Sequence, residues 1–100
     1  LLWLRLRTMP PTRTSRAKDP KDPELVLIGQ HLRVLRLERS LTQEALADAA
    51  GLHWTYIGQI ERGERNLTVK NVLRLERGLG IGPGDLTKGA FDGVTLPSSG

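Results

Sequence analysis

Thr42-Gln43-Glu44-Ala45-Leu46-Ala47-Asp48-Ala49-Ala50-Gly51-Leu52-His53-Trp54-Thr55-Tyr56-Ile57-Gly58-Gln59-Ile60-Glu61-Arg62-Gly63 is the stretch on which the reading of this chain turns. Thr42 offers a side-chain oxygen to free backbone N–H groups, and Glu44 sits in the first turn, where the helix dipole favours negative charge. Leu46, Ala47 and Ala50 then form one inward stripe. Gly51 supplies a residue that adopts a left-handed conformation cheaply, so one short helix stops there and another leaves at a steep angle. The second helix is expected from Trp54 to Arg62, with His53 capping it and Gly63 ending it. Ile57 and Ile60 face inward, and a turn of about 100° per residue puts Thr55, Gln59 and Arg62 on the opposite side. Glu61 falls on the inward side, where a lone carboxylate is costly and calls for a partner.

Outward from this pair the helical period continues. Leu25, Ile28, Leu32 and Leu35 line one face of a helix from Glu24 to about Glu38. On the other side Thr68 caps a fourth helix with Val72, Leu75 and Leu79 inward, and Gly78 and Gly80 are expected to fray its end. Gly82-Pro83-Gly84-Asp85-Leu86 opens a brief fifth helix. Leu35-Arg36-Leu37-Glu38-Arg39 returns as Leu73-Arg74-Leu75-Glu76-Arg77, but two copies make no solenoid, and shared helix chemistry explains the echo. The expected organisation is a basic, disordered arm over 1–23, one all-α five-helix domain over 24–88, and a loose Gly- and Ser-rich tail over 89–100.

Composition narrows the chemistry. One hundred residues with 38% hydrophobic content suffice for one core, and a domain of that size gains much from pairing with a second copy. There is no cysteine, which removes disulfides, thiolate metal sites and cysteine nucleophiles. No run approaches the roughly 20 apolar residues of a membrane span, and Arg5 and Arg7 break the apolar opening; a cytoplasmic protein without a membrane partner is expected. The net charge of +4 suggests an anionic partner. Residues 1–23 hold six basic against two acidic residues and the remainder nine against nine, so attraction of the folded part to phosphate has to come from one face. The basic arm reads either as an electrostatic tether or as an inert leader.

A short helix, a glycine turn and a second short helix with a polar outer face match what enters a major groove about 12 Å wide. The residues are also similar to a known family. Thr42-Gln43-Glu44-Ala45-Leu46-Ala47, Ala50-Gly51-Leu52 and Tyr56-Ile57-Gly58-Gln59-Ile60-Glu61-Arg62-Gly63 together resemble the phage-repressor-like, or xenobiotic-response-element, helix-turn-helix family from about Leu25 to Leu86. Within it, the run from Leu52 to Asn66 resembles restriction–modification controller proteins and related small stand-alone regulators.

This resemblance implies a dimeric transcriptional regulator bound to double-stranded DNA at a near-palindromic site. It places Trp54, Thr55 and Gln59 at base edges, where Gln59 suits adenine and Thr55 a thymine methyl. Gln43, Tyr56, Arg62, Arg65 and Asn66 are placed on phosphates, with Gln43 at a helix N-terminus that already presents N–H groups. It also implies an Arg36–Glu61 ion pair that locks helix one to the recognition helix. Trp54 departs from the polar residue usual in relatives, which leaves its indole two placements, against sugar and bases or folded back over its helix. Glu76 stands where relatives carry a small residue and is expected to disturb the packing of helix four. Leu79, Ile81, Leu86 and Phe91 are the candidates for a dimer patch.

Enzymatic readings find little support. His31 and His53 are the only histidines, and neither has a metal-ligand spacing with another donor. No nucleophile motif or glycine-rich phosphate loop is present, so no catalytic residue, metal or cofactor is expected. The rival reading is an antitoxin-like interaction module on the same fold that neutralises a partner enzyme.

Overall fold

Each helix starts where a side chain or a fixed φ serves its orphan N–H groups. The computed structural model describes residues 22–93, so the expected arm over 1–23 lies outside the described residues up to 21 and the expected tail over 89–100 from 94 on. Asp22 and Pro23 instead open the first helix, and Gly89 and Ala90 belong to the last. α1 (Pro23–Glu38) opens on Asp22, whose carboxylate accepts from the Glu24 N–H at 3.0 Å, and on Pro23 in the first turn. The helix thus begins one residue before Glu24, because a cap and a pre-set φ are what its start requires. α2 (Gln43–Ala50) is capped by Thr42 Oγ1 on the Ala45 N–H at 3.0 Å and ends at Gly51, with φ 72°. α3 (Trp54–Glu61) is capped by His53 and closed by Arg62, and Gly63 follows at φ 74°. α4 (Val69–Leu79) is capped by Thr68, and α5 (Asp85–Ala90) follows Gly84. The described residues hold these five helices and no strand, the all-α arrangement expected.

The core joins all five. Leu32 from α1, Leu46, Ala47 and Ala50 from α2, Ile57 and Ile60 from α3, Leu75 and Leu79 from α4 and Leu86 from α5 are buried together. α2 packs on α3 and α4, and α1 packs on α3 and α5. Held between α1 and α2, α3 buries Ile57, Gly58, Ile60 and Glu61 and leaves Trp54 and Thr55 exposed.

Three expectations are corrected here. Gly78 does not fray α4. It lies inside the helix and lets the α2 backbone come close, since a Cβ there would sit 3.1 Å from the Ala50 nitrogen; the helix stops at Gly80, with φ 76°. Glu76 does not disturb α4 either. It is 1% exposed, and its Oε2 accepts from the N–H groups of Gly84 and Leu86, both at 2.9 Å. A carboxylate from α4 therefore caps α5, whose own cap residue is a glycine with no side chain to offer. Leu79 and Leu86 belong to the core and cannot form a dimer patch; of the four candidates only Ile81 and Phe91 keep partial exposure.

Candidate nucleic-acid interface

Glu61 is the point from which the interface is built. Its carboxylate, on the last residue of α3, accepts from Arg36 Nε at 2.6 Å and from Arg36 Nη2 at 3.0 Å, a two-pronged bond between two buried side chains. Arg36 Nη1 meanwhile donates to the Leu41 carbonyl at 2.8 Å. The hydrogen bond to Glu61 raises the Arg36 pKa above its ordinary value, outweighing burial, so the guanidinium stays charged throughout the working range. Gln43 Nε2 also donates to Glu61 Oε1, at 3.1 Å. One carboxylate thus ties α1 and the start of α2 to the end of α3. Two glycines make the approach possible. A Cβ on Gly29 would lie 2.2 Å from the Ile60 carbonyl oxygen, and Gly58 carries the side chains of Gln43 and Arg62 over its bare Cα.

The sequence-derived site residues fall on three sides of α3. Thr55, Tyr56, Gln59, Arg65 and Asn66 line one open concavity of about 540 Å³, closed at its far wall by Asn71 and Arg74 of α4. Gln59 Oε1 accepts from Arg65 Nη1 at 3.3 Å, and the same guanidinium lies 5.1 Å from the centre of the Tyr56 ring. A carbonyl oxygen has two lone pairs, so the bond from Arg65 leaves Gln59 one acceptor site and both amide protons. The Tyr56 hydroxyl accepts from Asn71 Nδ2 at 3.1 Å.

Trp54 is not in that concavity. Its indole stacks at 24° on the His53 ring, 6.0 Å between centres, remains 47% exposed, and borders a smaller hollow with Glu44 and Asp48 of α2. Gln43 and Arg62 lie on the third side, over Gly58; Arg62 Nε donates to Glu64 at 3.2 Å. Asn71 and Arg74 are the residues that sequence reading missed. Their i, i+3 spacing puts two polar side chains on one face of α4, which was the available signal.

Against known families, residues 32–86 match the model described as Helix-turn-helix. The chain belongs to the helix-turn-helix family. Among curated relatives, this helix-turn-helix chain is 45% identical over 62 residues to control protein C.BamHI of Bacillus amyloliquefaciens, covering 61% of this chain and 76% of that protein. It is 42% identical over 53 residues to control protein C.SmaI of Serratia marcescens, covering 53% of this chain and 63% of that one. Among solved structures, the restriction-modification controller protein C.AhdI of Aeromonas hydrophila superposes with a TM-score of 0.64 at 45% identity, over 65% of this chain and 98% of that one. C.Esp1396I bound to a 25 base pair operator site superposes with a TM-score of 0.65 at 32% identity, over 71% of this chain and 93% of that one.

Among the described residues no three His, Cys, Asp or Glu side chains gather as a metal site, and no helix is long and apolar enough to cross a membrane.

Proposed function

We propose that this chain is a sequence-specific, double-stranded-DNA-binding transcriptional regulator of the controller type, acting in the cytoplasm as a binding protein rather than as an enzyme. The observation that carries the reading is the open face of α3, where Thr55 and Gln59 border a concavity rimmed by Arg65, Asn66 and Arg74. Polar side chains that read bases lie here beside donors suited to phosphate. The controller protein whose fold it shares was solved on a 25 base pair operator site, which supports duplex DNA as the partner of this fold.

In this reading α3 enters the major groove. Gln59 and Thr55 meet base edges, Trp54 reaches the groove from the α2 side, and Gln43, Tyr56, Arg62, Arg65 and Asn66 meet phosphates. Two copies bind with recognition helices about one turn, roughly 34 Å, apart on an inverted repeat. Partly exposed Ile81 and Phe91 are the side chains we assign to the contact between copies. Selection of bound duplexes from a random pool tests this: two inverted halves are expected, and Gln59→Ala is expected to abolish the preference at one position with helicity intact by circular dichroism. A pool that returns no enriched site would overturn the reading.

A further inference from the structure

His53 does more than start α3. Its Nδ1 accepts from the Thr55 N–H at 3.2 Å, and a backbone N–H can only donate, so Nδ1 carries the lone pair and the ring proton sits on Nε2. The Thr55 hydroxyl meets the same Nδ1. Facing an acceptor, that hydroxyl is the donor, and its proton is spent on the protein rather than on the duplex. The ring is buttressed on its other side by the Trp54 indole.

We propose that neutral His53 is a positioning residue for base selection: it turns the Thr55 hydroxyl inward and thereby leaves the Thr55 methyl group as the feature a base meets. The inference rests on the DNA-binding reading above and deepens it. Protonation undoes the arrangement. Nδ1 then becomes a donor that faces a backbone N–H and a hydroxyl, the cap is lost, and a positive charge stands at a helix N-terminus, where it is disfavoured. The charged groups that share hollows with the ring are Glu44 and Asp48 of α2 on one side, with Arg65 of the loop and Arg74 of α4 on the other.

The test measures affinity for the selected operator and for a scrambled duplex between about pH 7.5 and about pH 5.5, for the full chain and for His53→Asn, whose amide oxygen caps a helix without titrating in that range. In the unaltered protein the operator-to-scrambled ratio is expected to fall about tenfold as pH drops, with the loss concentrated at the base pair that Thr55 meets. His53→Asn should hold a flat ratio, and His31, present in both proteins, is thereby controlled for. Thr55→Val, which keeps a methyl and lacks the hydroxyl, should retain the base preference and Thr55→Ser should lose it. A ratio that is flat in the unaltered protein, or falls equally in His53→Asn, overturns the proposal. Operator affinity that rises on acidification only when His53 is present also overturns it, since the ring would then grip phosphate directly. Failure of the broader reading looks different: the operator and the scrambled duplex would bind alike at every pH.

Discussion

At the scale of single residues, the Arg36–Glu61 pair shows how much rides on a partner. Both side chains are buried; without Glu61 the Arg36 charge is stranded, and without Arg36 the carboxylate keeps only the longer contact to the exposed Arg33, at 3.7 Å. Removing one partner of such a pair typically costs about 3–5 kcal/mol, whereas replacing both with apolar side chains is often close to neutral. Arg36→Met alone should therefore shift the urea midpoint far down, and Arg36→Met with Glu61→Met should recover most of the loss. Additive losses in that double-mutant cycle would show that the two side chains act independently. The pair also explains which contacts a sequence discloses. Caps such as Thr42 on Ala45 and Thr68 on Asn71 reach three residues along the chain and were legible. The bond from Gln43 to Glu61 spans 18 residues and that from Asn71 to Tyr56 spans 15, and no local pattern encodes either.

At the scale of elements, close approach decides the stability of the interface. Gly29 places α1 directly on the last carbonyls of α3, 2.2 Å from where its Cβ would be, and those atoms are backbone, which cannot swing aside. Gly29→Ala should cost several kcal/mol, on the order of other overpacking changes, and it should weaken DNA binding because α3 is displaced. Thermal unfolding together with operator binding checks both effects. Glu76→Ala is the matching experiment for α5. It strips two backbone N–H groups of their acceptor, at about 1–3 kcal/mol for each that stays buried, and should release α5 while leaving α1 to α4 helical. Hydrogen exchange confined to residues 84–91 is the expected signature. The repeated Leu-Arg-Leu-Glu-Arg shows why α5 could not be read fully from sequence: Glu38 of one copy is exposed and Glu76 of the other is buried, although their local chemistry is the same. What differs is the element each packs against.

At the scale of the molecule, charge has to be sorted rather than accumulated. From residue 24 onward acidic and basic residues balance, so the pull on a duplex depends on where each sign sits. Arg65 and Arg74 rim the concavity beside Gln59, while Glu44 and Asp48 stand by Trp54. Asp48→Asn should raise affinity for any duplex severalfold at low salt, with the gain gone near 1 M, where the screening length is about 3 Å. Arg65→Ala should do the reverse and flatten the slope of log affinity against log salt by about one.

The amide of Gln43 has two claimants. In the free protein one of its two N–H groups is taken up by Glu61, and on the proposed interface the other faces a phosphate, so the inner scaffold aims the donor that a duplex would use. Glu61→Gln combined with Arg36→Met, which leaves no buried charge stranded, would change that aim from inside. A genetic screen for altered operator grip should accordingly recover substitutions at a glutamate that is itself buried.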